Sequence, residues 1–148
     1  MKPIIFILLL LSFCQKPAKI ETSESVLTSY KTNLELAKKT NRKVLLVFGA
    51  NWCIDCRTLN GFMNQPEVNE IIQKAYILQK VDVGDFDKNL GFVNLFDSKL
   101  LDNGIPALVI LDKDAKILSK TINKEFSNSS KNNSDRISMY LKNFAEIK

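Results

Sequence analysis

The sequence of 148 residues contains no histidine, and this absence excludes several kinds of active site. Cysteine–histidine nucleophilic catalysis, histidine-ligated zinc or copper, and imidazole general bases all need that side chain. Cysteine is also scarce, with only Cys14, Cys53 and Cys56. Because Cys14 lies in a predicted leader, two thiols remain, which is too few for a four-cysteine zinc site. We therefore expect no metal site.

Long hydrophobic runs are absent as well, apart from one near the N-terminus. Residues 4–11 are all apolar and follow Lys2. This run is shorter than the ~20 residues that span a membrane, but it is typical of a secretory signal. The four residues LSFC that close it resemble the lipobox of bacterial lipoproteins, although Phe13 stands where a small residue usually precedes the cysteine.

This pattern predicts an exported protein of the periplasm or cell envelope. We expect a signal peptide over residues 1–13, cleavage before a lipidated Cys14, and a polar tether over residues 14–22 that holds the domain near a membrane. An uncleaved anchor, ordinary secretion and a cytosolic location are the alternatives. Thiols tend to oxidise outside the cytoplasm, so a cysteine pair there either supplies oxidising equivalents or depends on a dedicated electron donor.

Charge of one sign does not dominate the chain. Its 21 basic and 16 acidic residues give a formal charge of +5, and no stretch interleaves basic with aromatic residues. We therefore expect no nucleic-acid partner. The composition, 45% hydrophobic and 25% charged, is typical of one globular domain, which we place at residues 23–148.

The apolar pattern changes between helical and strand periods along this domain. Helical spacing is found in residues 25–39, 53–64, 66–72, 86–101 and 135–147. Short apolar runs predict strands at residues 44–48, 75–83, 107–111 and 116–120. The order predicts an α/β domain in which a central mixed sheet carries helices on both faces, with a hairpin at one edge.

Two thiols in the pentapeptide WCIDC, residues 52–56, form the most informative motif. Cysteines three positions apart can close into a disulfide and reopen without unfolding the domain. The motif follows a predicted buried strand and precedes a predicted helix, so Cys53 is expected at a helix N-terminus. Unpaired backbone N–H groups and the helix dipole favour the thiolate there, which is the reactive form of cysteine. The motif therefore predicts redox chemistry.

Together these features resemble the thioredoxin superfamily. The resemblance covers roughly residues 25–148 and depends on the strand at 44–48, the WCIDC motif, and Gly104, Ile105 and Pro106 before a later strand. A lone CxxC is a weak signal, but a tryptophan before it and Ile-Pro about 50 residues later make a specific combination. The resemblance implies a thioredoxin-like fold and thiol–disulfide oxidoreductase activity.

The resemblance also implies roles for individual residues. Cys53 is similar to the exposed nucleophile of the family, and Cys56 to its buried resolving cysteine. Pro106 is similar to the cis-proline that faces the active site, where the Ile105 backbone pairs with an extended substrate segment. Trp52 is expected to form an apolar wall beside Cys53. No cofactor beyond the redox-active disulfide is implied.

The chain departs from thioredoxins proper at three places. Val47 stands where they carry a buried aspartate that helps to deprotonate the resolving cysteine. Ile54 and Asp55 replace Gly-Pro between the cysteines; the carboxylate of Asp55 opposes a thiolate, whereas the cation of Arg57 favours one. Residues 86–101 are expected to form an insertion that shapes substrate or partner contacts.

These features predict an envelope enzyme that reduces protein disulfides through a mixed disulfide at Cys53. Its partners are expected to be protein disulfides, an electron donor, for which a membrane protein is one candidate, and the membrane through a lipid on Cys14. Disulfide isomerase and oxidase are alternatives within the same chemistry. A Cu(I) thiolate carrier, and a binding module in which the disulfide is only a staple, are alternatives of other classes.

Overall fold

The computed structural model describes residues 23–121, 124–129 and 133–146, and within them the chain forms five α-helices and four strands. In chain order these are α1 (Ser23–Thr40), β1 (Lys43–Gly49), α2 (Ile54–Met63), α3 (Pro66–Ala75), β2 (Tyr76–Asp82), α4 (Leu90–Asn94), β3 (Ala107–Leu111), β4 (Ile117–Lys120) and α5 (Ser134–Ala145). The predicted signal peptide, Cys14 and the tether lie outside the described residues. None of the described helices is long and apolar enough to cross a membrane.

The sheet is mixed, as predicted, and its strand order is β2-β1-β3-β4. β1 pairs with β2 in parallel and with β3 antiparallel, and β4 completes an antiparallel hairpin at one edge. The parallel connection requires a crossover, which α2 and α3 provide. Pro66 occupies the first turn of α3, where its missing N–H removes no helical hydrogen bond.

β1 sends its side chains alternately into two hydrophobic clusters on opposite faces of the sheet. Val44, Leu46 and Phe48 belong to a cluster that includes buried residues of α1 and α4. Leu45 belongs to a second cluster, built with α2, α3 and α5. All four side chains are fully buried. The prediction of a central strand with helices on both faces is therefore confirmed.

The segment after β2 is less helical than its sequence pattern predicts. Of residues 86–101, only Leu90–Asn94 form a helix, and turns and bends make up most of the remainder. Phe86 and Asn89 have φ angles of 63° and 55°, in the left-handed region that a right-handed helix cannot include. After α4, the side chain of Asp97 accepts the backbone N–H of Lys99, a local bond that competes with helix formation.

Aromatic side chains anchor this segment to the sheet. Phe92 and Phe96 pack edge to face, with ring centroids 5.2 Å apart. Both rings also contact Tyr30 of α1, at 5.3 and 5.7 Å, and Phe48 of β1, at 6.2 and 6.1 Å. Such contacts add to the stabilisation that burial alone provides. The segment is therefore held in place without being a long helix.

An ion pair ties the end of this segment to the edge hairpin. Lys120 of β4 donates to Asp97 Oδ2 over 2.6 Å. The hydrogen bond from Lys120, followed by the one from the Lys99 N–H, holds the pKa of Asp97 below its ordinary value. Because the native pKa lies below the unfolded one, the pair stabilises the fold above the unfolded pKa. This stabilisation is lost as the pH falls through the native pKa.

We therefore expect Asp97→Asn to lower the free energy of unfolding at pH 7, and the difference from wild type should shrink as the pH falls through the native pKa of Asp97 and the carboxylate becomes protonated. Urea titrations at several pH values measure this. Asp114→Asn is the control, because Asp114 pairs with Lys113 at a more exposed site and should matter less. A destabilisation of Asp97→Asn that persists unchanged at low pH would contradict the assignment to the ion pair.

Candidate functional site

Cys53 and Cys56 are joined by a disulfide at the N-terminus of α2, with their Cα atoms 5.2 Å apart. Cys53 is the N-cap of the helix: its backbone is extended, and its Sγ accepts the N–H of Cys56 over 3.1 Å. The predicted position of Cys53 at a helix N-terminus is confirmed. When the pair is reduced, the same N–H can donate to a thiolate, and hydrogen bonds to charged groups are stronger than those to neutral ones.

The exposure of the two cysteines is the reverse of what the resemblance implied. Cys53 is buried, with 6% of its surface exposed, whereas Cys56 is only partly buried. The reason lies in what surrounds each sulfur. Cys53 Sγ sits between the first turn of α2 and the Ile105 carbonyl oxygen, 3.6 Å away. Cys56 packs closely against the backbone of Gly49 at the end of β1.

The loop before β3 faces the disulfide. The peptide bond between Ile105 and Pro106 is cis, as the resemblance implied, and both residues are buried. The carbonyl of Ile105 is the group that approaches Cys53 Sγ. Gly104 precedes them with a φ of 89°, a conformation that favours glycine. The roles of Ile105 and Pro106 in substrate binding remain predictions.

Trp52 stands on the surface beside the disulfide and is 53% exposed. Its indole Nε1 donates to the carbonyl of Gly84 over 2.9 Å, which fixes the ring. The ring of Phe86 packs against it, with centroids 6.1 Å apart and planes inclined at 59°. The sequence pattern identified Trp52 as part of the site, and it placed Phe86 at the start of the segment expected to shape substrate contacts, but it gave Gly84 no role. No local signal places the turn that carries Gly84 beside Trp52.

The structure gives Arg57 a definite set of partners. Its Nη1 donates to the carbonyl oxygens of Asn51 and Trp52, over 2.8 and 3.0 Å, so it braces the turn that leads into Cys53. Asp55 lies in the first turn of α2, where a carboxylate interacts favourably with the helix dipole. The effects of Asp55 and Arg57 on the thiol pKa remain predictions.

No carboxylate stands at the position of Val47 or at the strand positions beside it. Val47 pairs with Lys80 on β2 and with Leu108 on β3, and it packs against the cluster formed with α2, α3 and α5. The ammonium of Lys80 donates to the side-chain oxygen of Asn60, one turn after Cys56 on α2. A proton from Cys56 therefore has no acidic side chain on these strand positions to receive it.

In the part of the chain that the structure describes, no group of three or more cysteine or acidic residues could hold a metal ion.

Comparisons with known proteins agree with this geometry. A family profile described as thioredoxin-like matches residues 25–113. The disulphide isomerase of Xylella fastidiosa Temecula1 is 32% identical, with a TM-score of 0.81 and a match that covers 90% of this chain and 99% of that one. No curated protein matches the sequence.

Two further structures show the same fold at lower identity. A thioredoxin from Thermus thermophilus is 18% identical, with a TM-score of 0.60, over 79% of this chain and 84% of that chain. The oxidised C-terminal domain of DsbD from Neisseria meningitidis is also 18% identical, with a TM-score of 0.57, over 79% of this chain and 95% of that chain. The fold is thus shared by proteins with quite different sequences.

The contact between Gly49 and Cys56 can be tested with one added methyl group. A Cβ at position 49 would lie 3.1 Å from Cys56 Sγ, whereas at Gly61 it would meet nothing within 4 Å. Since a disulfide moves less freely than two thiols, Gly49→Ala should disfavour the oxidised form. We expect the reduction potential to become about 10–30 mV less negative, where 30 mV corresponds to about 1.4 kcal/mol.

Equilibration with glutathione buffers measures this change. Gly61→Ala is the matched control: it should leave the potential unchanged and stabilise α2 by roughly 0.5–1 kcal/mol. Equal potentials for Gly49→Ala and wild type would show that Cys56 is not confined against β1.

Proposed function

The chain belongs to the thioredoxin-like family and is a thiol–disulfide oxidoreductase, and we propose that it reduces protein disulfides in the cell envelope. The observation that carries the proposal is the geometry of the cysteine pair. Cys53 caps α2 and accepts the N–H of Cys56, and its sulfur faces the Ile105 carbonyl of the cis-proline loop. This geometry places the Cys53 sulfur where a thiolate is favoured. It also places the Cys56 sulfur within reach to resolve a mixed disulfide formed at Cys53.

The proposed reaction has two exchange steps. The Cys53 thiolate attacks one sulfur of a substrate disulfide, forming a mixed disulfide and releasing the other substrate sulfur as a thiolate. The Cys56 thiolate then attacks Cys53 Sγ, which closes the Cys53–Cys56 disulfide and releases the second substrate sulfur. Two electrons pass to the substrate, and a thiol electron donor must reduce the enzyme again before the next turnover.

The direction of electron flow is inferred from the charges beside the thiols. Strong oxidants of this class stabilise their reduced thiolate, whereas here the carboxylate of Asp55 lies in the same helical turn and opposes that charge. Arg57, the nearest cation in sequence, directs its Nη1 to two backbone carbonyls. We therefore favour a reductant.

Disulfide isomerisation is the second candidate, and the 32% identity to the Xylella fastidiosa Temecula1 disulphide isomerase favours it. Its first step is the same attack by Cys53. The two activities diverge at the mixed disulfide, which another thiol of the substrate resolves in isomerisation and Cys56 resolves in reduction. The Cys56→Ser variant separates them, because isomerisation can continue without Cys56.

Location is a further part of the proposal. The apolar run at residues 4–11 and the LSFC motif support export, lipidation at Cys14 and tethering through residues 14–22. In an oxidising compartment a reductant needs a donor that carries electrons to it, and a membrane protein could reach a tethered domain.

For the reductase, we expect Cys53→Ser to abolish insulin reduction, because the attacking thiolate is lost. Cys56→Ser should accumulate a mixed disulfide that is visible on non-reducing gels. Insulin reduction that survives Cys53→Ser would refute the mechanism.

We also expect a reduction potential more negative than about −200 mV, well below the roughly −120 mV of a strong oxidant. A potential near that of the strong oxidants would refute the direction. Refolding of a scrambled protein by Cys56→Ser at the wild-type rate would favour the isomerase.

For the anchor, we expect the full-length precursor expressed in a bacterium to incorporate a labelled fatty acid and to fractionate with membranes. Cys14→Ser should lose both the label and the membrane association, since the acceptor thiol is gone. Cys53→Ser serves as the control for cysteine loss and should keep both. Membrane association that persists in Cys14→Ser would indicate an uncleaved anchor instead.

A further inference from the structure

Asp82, the last residue of β2, lies on the face of the sheet that α2 covers. Successive side chains of a strand point to opposite faces, so residues two positions apart share a face. Lys80 donates to Asn60 of α2, and Leu78 packs against the cluster formed with α2, α3 and α5. Asp82 continues this series and is therefore on the same face. It is the only acidic residue of β1 or β2.

The sulfur of Cys56 lies where a side chain at position 49 would be on this face. Gly49 pairs with Asp82 across the two parallel strands. A Cβ on Gly49 would lie only 3.1 Å from Cys56 Sγ. Because neighbouring strands are about 4.8 Å apart, the Asp82 side chain begins within about 8 Å of that sulfur. A carboxylate that begins there can reach the thiol directly or through one water molecule.

The turn after β2 holds the carboxylate of Asp82 in place. Its Oδ1 accepts the N–H of Gly84 over 3.1 Å, and its Oδ2 accepts a hydrogen bond from Lys88 Nζ over 3.4 Å. A carboxylate has about four acceptor positions, so these two bonds leave room for a third. The side chain is 38% exposed, and a proton that it takes up can therefore pass on to solvent.

The charged groups on the elements around Asp82 are of both signs: Lys88, Asp85 and Asp87 in its turn, Lys80 on its strand, and Asp55 and Arg57 on α2. Asp85 and Asp87 are exposed and lie beyond the end of the strand. Asp55 directly precedes Cys56, and consecutive positions on a helix do not face each other. Of these carboxylates, Asp82 is thus the one that is placed across Gly49 from the Cys56 sulfur.

This geometry leads us to propose that Asp82 accepts the proton of Cys56 when Cys56 resolves the mixed disulfide. The inference rests on the proposed function, because it assigns a residue to the second exchange step of that reaction. The Cys56 S–H bond breaks, its proton passes to the Asp82 carboxylate, and the sulfur keeps the electron pair. That pair forms the new bond to Cys53 Sγ, while the bond from Cys53 to the substrate sulfur breaks and the substrate leaves as a thiolate.

The test mixes the reduced protein with an equimolar amount of dithiobis(nitrobenzoic acid) and follows the coloured nitrothiobenzoate by stopped-flow absorbance. Attack by Cys53 releases the first nitrothiobenzoate and leaves the second bound to Cys53. Attack by Cys56 then releases the second. Nitrothiobenzoate leaves without taking up a proton, so the pH dependence of the second release reports on the proton of Cys56.

In wild type we expect the rate of the second release to be nearly constant between about pH 6 and pH 8, because an internal base takes the proton. In Asp82→Asn the rate should rise about tenfold per pH unit, because only Cys56 that has ionised unaided can attack. The variant should be more than about tenfold slower than wild type at pH 6.5. The two should agree within about twofold at pH 9, above the ordinary thiol pKa of about 8.5.

Two further variants control for charge and for folding. Asp85→Asn removes the same charge from an exposed position in the same turn, and it should leave both releases unchanged. Asp82→Glu keeps a carboxylate and should retain most of the pH independence. Asp82→Asn itself should keep the wild-type urea midpoint, because an amide oxygen can still accept the Gly84 N–H and the exposed ion pair with Lys88 contributes little.

The outcomes distinguish this inference from the proposed function. A second release that rises tenfold per pH unit in wild type would overturn the inference and leave the reductase intact. A faster second release in Asp82→Asn would also overturn it, because the carboxylate would then only oppose the Cys56 thiolate. Equal slowing at every pH would assign Asp82 a structural role instead. Wild type that gives no first release would overturn the proposed function itself, and this inference with it.

Discussion

The burial of β1 on both faces is the constraint on which the rest of the structure depends. Its apolar side chains alternate between two clusters, so a shift of one residue in register would exchange the two sets and is excluded. Phe48 is thereby fixed opposite Ala107 of β3. Four residues beyond the end of β1, Cys53 caps α2, and Pro106 directly precedes Ala107. The same register that packs the core therefore brings the cis-proline loop to the disulfide.

The parallel pairing of β1 and β2 supplies the other side of the site. Gly49 pairs with Asp82, so the two strands end together, and the next N–H on the second strand, that of Val83, bonds back to Gly49. The turn after β2 consequently emerges beside the turn after β1. This brings Phe86 into contact with Trp52 although 34 positions separate them in sequence. Such placement at the carboxyl ends of parallel strands is a general feature of open α/β sheets.

The sequence predicts those parts of the site that depend on neighbouring residues, and it does not predict those that depend on contacts between distant parts of the chain. β1, the capping position of Cys53 and the loop at Pro106 follow from short patterns, namely a continuous apolar run, a CxxC motif and an Ile-Pro pair. Phe86 does not, because its partner lies on another loop and its left-handed backbone is imposed by bonds within the turn. The burial of Cys53 also depends on a tertiary contact, because the Ile105 carbonyl that lies beside its sulfur comes from a distant part of the chain.

The departures from thioredoxins proper act on different stages of the exchange. The N–H of Cys56 is placed to donate to a thiolate at Cys53, whereas we expect the carboxylate of Asp55 to oppose that charge, so we expect their balance to shift the equilibrium between dithiol and disulfide. Val47 concerns a later step, because a carboxylate at that position could accept a proton from Cys56. We expect the absence of that carboxylate to slow the step in which Cys56 resolves the mixed disulfide. A long-lived mixed disulfide gives a substrate thiol time to attack first, and this connects the valine to the balance between reduction and isomerisation.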